Sequence, residues 1–138
     1  MKSYKMITVE GSPSDHIGIA LDEFRTLADE IQNWADSLAG TNLESSKKYT
    51  QLTELAEELH FAKNFEEPHK YPMDGVGIAA SISIPRRKNR QPSRSIRMSN
   101  AVARIEAVIG LYEEVELDDI VTQLQDLIPL GEVPAVYS

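Results

Sequence analysis

Residues 76–98, VGIAASISIPRRKNRQPSRSIRM, hold the change of pattern that decides the fold. Val76, Ile78, Ala80, Ile82 and Ile84 alternate with Gly77, Ala79, Ser81 and Ser83. That period of two gives one apolar face and predicts a strand, with Pro85 at its end. Ser95 to Met98 alternates again, placing Ile96 and Met98 between polar neighbours. The segment is therefore expected as a β-hairpin with a cationic tip. The alternative is a loop that leads straight into the next helix.

On both sides of this segment the period is helical. Upstream, Ile17, Ala20, Phe24, Leu27, Ile31, Trp34 and Leu38 recur at alternating spacings of three and four. Leu21, Ala28 and Ala35 widen the stripe beyond a coiled-coil seam, which suits a helix packed into a globular core. Ser12 or Ser14 supplies an N-cap, Asp15 favours the first turn, and Gly40 ends the helix. A second helix is expected from Glu44 to Phe65, with Leu52, Leu55, Ala56, Leu59 and Ala62 on its apolar side. The link from Gly40 to Leu43 is short, so residues 14–65 should form an antiparallel helical hairpin. Pro68 and Pro72 then impose a loop.

Downstream, Ser99 or Asn100 can cap a third helix with Ala101, Val102, Ile105, Val108, Ile109, Tyr112 and Val115 on one face. A fourth, short helix carries Leu117, Ile120, Val121, Leu124, Leu127 and Ile128, and Pro129 closes it. Residues 100–128 are thus a second helical pair, followed by an extended tail over 129–138 that cannot be helical around Pro134. At the other end, Tyr4 to Val9 reads as a short strand stopped by Gly11, Ser12 and Pro13. The expected architecture is α+β. It comprises two antiparallel helical hairpins (four helices) and a small antiparallel β-sheet that includes the hairpin with the basic tip, all in one domain over residues 1–138.

Composition narrows the function classes. A chain of 138 residues is too short for barrel or doubly wound enzymes, which need ~200 residues or more. With no cysteine there is no disulfide, no Cys-ligated zinc and no thiol catalysis. MKSYKMITVEGS lacks the apolar core of a signal peptide, and the uncharged stretch from Gly75 to Pro85 is too short to span a bilayer. A cytoplasmic, non-membrane protein is expected. The net charge of −8 disfavours general coating of nucleic acid.

That average conceals one cationic segment. Arg86, Arg87, Lys88, Arg90, Arg94 and Arg97 lie within twelve residues that contain no acid. Without them the other 126 positions carry eight basic and 22 acidic residues, a charge of −14. Close cations repel one another by ~1 kcal/mol per pair in water, which a counter-anion relieves. Arg in particular forks onto phosphate or carboxylate. No aromatic residue is interleaved, which argues against stacking on single-stranded bases. Arg104 can extend the patch onto the third helix. The same loop could instead be a solvated surface, or dock on the acidic side chains of a neighbouring subunit, such as Glu66, Glu67 or the run Glu113, Glu114, Glu116, Asp118 and Asp119.

Other constellations are weaker. Glu57 and His60 have the spacing of a di-metal half-site but fall off the apolar seam on which such ligands converge. His16 beside Asp15 is better explained by the helix start, and His69 lacks the partners of a triad. Trp34 and Tyr112 occupy core positions and are also candidate anchors of a subunit interface. The apolar stripes are many for so short a chain, so a homo-oligomer is expected, first of all a dimer. The sequence therefore points to a small, non-enzymatic binding protein without cofactor or metal, whose basic segment meets a phosphate-bearing ligand (nucleic acid or nucleotide). The alternative is an adaptor or inhibitor that docks through its acidic helical faces or basic loop.

Overall fold

A computed structural model describes residues 5–41, 47–68, 70–73, 79–86 and 93–128, with the backbone alone at positions 48, 86 and 95. Its elements in chain order are β1 (Lys5–Gly11), α1 (Pro13–Leu38), α2 (Lys47–Leu59), the single turn α3 (Phe61–Asn64), β2 (Ala80–Arg86), α4 (Arg94–Glu114) and α5 (Asp118–Gln125). The class is α+β: four longer helices and a two-stranded antiparallel sheet among the described residues.

The longest helix begins where local chemistry demands. Ser12 Oγ accepts from Asp15 N at 3.2 Å and Asp15 Oδ2 accepts from Ser12 N at 3.3 Å, a reciprocal cap followed by Pro13 at the first helical position. At the other end Ala39 N donates to Ala35 O and Asp36 O, and Gly40 takes φ +77°, a left-handed conformation that favours glycine. The apolar stripe faces inward as its spacing requires: Ile17, Ala20, Leu21, Phe24, Leu27, Ala28, Ile31 and Ala35 are all buried.

Helix α1 is the axis of the domain. On one side pack α2 and α3, through Leu52, Leu55, Ala56, Leu59 and Ala62. On the other lies α4, through Met98, Ala101, Ile105, Val108 and Tyr112. Contacts run in opposite senses along α1 and α4: Arg94 and Arg97 meet Glu30, whereas Arg104 meets His16. The short α5 closes the far part of α4 with Ile120, Val121 and Leu124, and Leu127 follows it into the core.

The strand pairing corrects one expectation. The partner of β2 is the N-terminal strand β1, in the register Ile7 to Ile84 and Val9 to Ile82. Ser95 to Met98, expected as the return strand of a hairpin over 76–98, lies inside α4. The cause is Ser93, whose Oγ accepts from Ile96 N at 3.5 Å and starts the helix six residues before the expected start at position 100. The basic segment therefore joins β2 to α4, the alternative weighed above. Strand β2 also runs through Pro85 to Arg86; in a two-stranded sheet each strand is an edge, where proline's missing N–H is tolerated. The expected strand residues 76–78, the basic residues 87–90 and the tail 129–138 lie outside the described residues.

Candidate functional site

Where α1 meets the first turns of α4, two carboxylates and two guanidiniums form a closed set. Arg97, 5% exposed, donates from Nε to Glu23 Oε1 at 2.9 Å. Its two terminal nitrogens fork onto Glu30, with Nη1 to Oε1 at 3.1 Å and Nη2 to Oε2 at 2.6 Å. Arg94 adds Nε to Glu30 Oε1 at 3.2 Å and lays its guanidinium over Trp34, 5.2 Å from the ring centroid. The spacing explains why this works. Glu23 and Glu30 are seven residues apart on α1 and so share one face beside the core stripe, while Arg94 and Arg97 are one turn apart on α4. The hydrogen bonds from Arg97 hold the Glu30 carboxyl below the usual carboxylate range, against the opposing effect of burial. The bond to Glu30 likewise raises Arg97 above its ordinary value.

Two of the six candidate anion contacts, Arg94 and Arg97, are thus held by carboxylates of the same chain. Arg86 is described in its backbone alone, at the end of β2, and Arg87, Lys88 and Arg90 lie outside the described residues. The register adds a cation that sequence reasoning missed. Lys5 of β1, exposed, stands directly opposite Arg86. Nothing local signals that juxtaposition, because the pairing joins residues at opposite ends of the first two-thirds of the chain. The carboxylates, in contrast, left a trace: Glu23 and Glu30 flank the α1 stripe at a heptad interval, the place where ion pairs between packed helices form.

Arg104 does not extend an outward patch in a simple way, since its Nη1 lies 3.1 Å from Nδ1 of the fully buried His16. The other ring nitrogen of His16, Nε2, donates to Ala80 O at 2.7 Å, which sets the tautomer and ties α1, α4 and the start of β2 together. Tyr112 is fully buried and donates its hydroxyl to Pro72 O at 2.8 Å, so its ring is packed within this chain. Trp34 is half-buried beneath Arg94. Glu57 is exposed and His60 half-buried at the break between α2 and α3. Among the described residues no group of three or more His, Asp or Glu side chains is placed to hold a metal ion. None of the described helices is long and apolar enough to cross a membrane.

At the far end of α4 the surface has the opposite sign. Residues 105–128 contain seven acidic side chains and no Lys or Arg. Glu106, Ile109, Glu113, Gln125 and Ile128 line an open groove of about 440 Å³ between α4 and the end of α5. No known protein family, curated protein or solved structure matches this chain.

Proposed function

We propose that this chain is a small, non-enzymatic, oligomeric binding protein whose basic segment contacts the phosphate groups of a nucleic acid or nucleotide. One observation carries the reading: on a chain of net charge −8, six cations fall within twelve residues that hold no acid. Glu23 and Glu30 neutralise Arg94 and Arg97, which makes these two anchors that hold the segment's end on α1. Phosphate contact then falls to Arg86, Arg87, Lys88 and Arg90, whose mutual repulsion a phosphate anion relieves. The helices are read as antiparallel hairpins, a reading supported for the first pair by Arg25 Nε donating to Ala62 O at 3.0 Å and by the Lys63–Asp29 ion pair.

The test is fluorescence anisotropy with a short labelled DNA duplex. If each of the four cations neutralises one phosphate, affinity falls roughly 150-fold between about 50 and 200 mM salt. Arg86→Glu combined with Arg90→Glu should abolish binding. Affinity indifferent to salt, or unchanged in that variant, rejects the proposal.

A second reading rests on the acidic end. The groove beside Glu106 and Glu113, with Glu114, Glu116, Asp118 and Asp119 exposed nearby, suits a cationic segment such as the basic segment of a second copy. In that case Arg86→Glu with Arg90→Glu lowers the mass measured by light scattering, and no phosphate ligand is bound by either form.

A further inference from the structure

The later turns of α4 present an outer face unlike the rest of the helix. Glu106, Gly110 and Glu113 follow at intervals of four and three, so they share one exposed face. Beside it runs the open groove of about 440 Å³ towards the end of α5, where Ile109, 7% exposed, and half-buried Ile128 supply an apolar line. A glycine in mid-helix costs conformational entropy relative to alanine, yet a Cβ built at Gly110 meets nothing within 4 Å. No packing among the described residues requires that glycine, whereas the close approach of a second backbone would. Glu106 and Glu113 stand seven residues apart, ~10 Å along the helix, the spacing of positions i and i+7 on a helix laid alongside.

We propose that this groove docks an amphipathic, cationic helix of another protein. Its Lys or Arg side chains meet Glu106 and Glu113, and its apolar stripe enters beside Ile109 and Ile128. Charge selects this partner. Residues 105–128 hold seven acids and no Lys or Arg, so the same face of a second copy is repelled. The four longer helices offer no cationic alternative: α1 carries one Lys or Arg against six acids, α2 two against three, α4 three against three, and α5 none against two. The basic segment of a second copy would supply charge, but from Arg86 to Ser95 its one apolar residue is Pro92, which leaves the apolar line unfilled. A helix seated in a groove takes its affinity from apolar anchors and its orientation from the charged rim. This site is separate from the basic segment and does not depend on the phosphate ligand proposed for it.

The probe is a labelled peptide of about 15 residues, long enough to turn helical, with Leu at helical spacing and Lys elsewhere. A scrambled peptide of the same composition is the control. The patterned peptide should bind the full chain more tightly than the scrambled one. Glu106→Gln with Glu113→Gln should weaken it about five-fold, the loss of two exposed ion pairs. Glu54→Gln with Glu58→Gln removes the same charge from exposed positions of α2 and should leave binding unchanged. Gly110→Leu should weaken binding at constant net charge without lowering thermal stability, since its Cβ enters open space. Equal binding of the two peptides, equal loss in the two double variants, undiminished binding by Gly110→Leu, or no binding at all overturns the proposal. So does a wild-type dimer that the Glu106 and Glu113 changes dissociate, because the groove then belongs to a second copy. Duplex binding by the same wild-type protein reports separately on the basic segment, so either site can fail while the other stands.

Discussion

Arg97 on α4 grips Glu30 on α1 through two parallel hydrogen bonds, 3.1 and 2.6 Å long, although the residues are 67 positions apart. Arg97 is almost wholly removed from water, while Glu30 retains 31% of its side-chain exposure. The desolvation cost of that arginine is therefore offset only as long as both Glu30 and Glu23 stay in place. The pair sets where α4 begins to pack on α1, and with it the end of the basic segment.

Arg97→Ala should destabilise the fold by about 3 kcal/mol in urea unfolding. That is the low end of the ~3–5 kcal/mol seen when one partner of a buried pair is removed, because Glu30 can recover some hydration. Glu30→Gln together with Arg97→Gln should cost less than the sum of the single changes, since the two groups share one set of bonds. Additive costs would show that the fork contributes nothing as a unit.

The same fork predicts an acid limb. Arg97 holds the folded-state pKa of Glu30 below its unfolded value, so the contribution is present above the unfolded carboxylate pKa of ~4.3 and is lost as pH falls through that region. Unfolding free energy measured across acid pH should drop less steeply in Glu30→Gln than in wild type. Equal slopes would contradict the assignment.

An alkaline limb should come from Tyr71. Burial is the main cause that pushes its hydroxyl pKa well above the ordinary tyrosine range, with Glu67, 3.1 Å away, adding to it. A raised folded pKa gives stability that is full below the unfolded value of ~10 and declines as pH climbs past it. Tyr71→Phe should therefore be somewhat less stable at neutral pH, through loss of the bond to Glu67, yet flatter above pH ~10. Thermal melts over that range read the difference.

The α1 stripe is legible because Ile17, Phe24 and Ile31 repeat one face over about four turns, more than enough for the period to declare itself. Ser95–Met98 was not, because four alternating residues fit a strand, while Met98 also begins the helical series Met98, Ala101, Ile105, Val108, Tyr112 that is buried in the fold. The cap at Ser93 decides between them, and Gln91 and Pro92 beside it carry the signature of a turn as much as of a helix start. The charge of Arg97 places it among the cations of the basic segment, whereas its partners, 67 and 74 residues away, leave no mark beside it in the sequence. The pairing of Lys5 with Arg86 was hidden for the same reason: register is a property of two strands, and neither one states it.

His16 tests whether one buried ring joins three elements. His16→Leu fills similar space but removes the donor to Ala80 O, leaving that carbonyl without its 2.7 Å bond. The expected cost is ~1–3 kcal/mol, the range for a buried polar group deprived of its partner. Amide hydrogen exchange should accelerate first at the Gly11–Ala80 end of the β1–β2 ladder, which packs on this ring. Uniform acceleration across the whole chain would mean a global loss of stability with no local joint.

Trp34 is the chain's single tryptophan and lies under the Arg94 guanidinium, so its emission reports on the docking of α4's first turn. Arg94→Gln removes the cation over the ring and one of the bonds to Glu30, which should cost about 1 kcal/mol at this half-buried site. The ring face then meets more water, so emission should move to the red and acrylamide should quench it more strongly. Arg97→Lys provides the contrast, because it weakens the fork to Glu30 while leaving Arg94 over the indole. If the two variants shift the emission equally, the indole senses the whole α1–α4 contact instead of Arg94. If only Arg94→Gln does, the emission reports specifically on the Arg94 anchor that holds the end of the basic segment on α1.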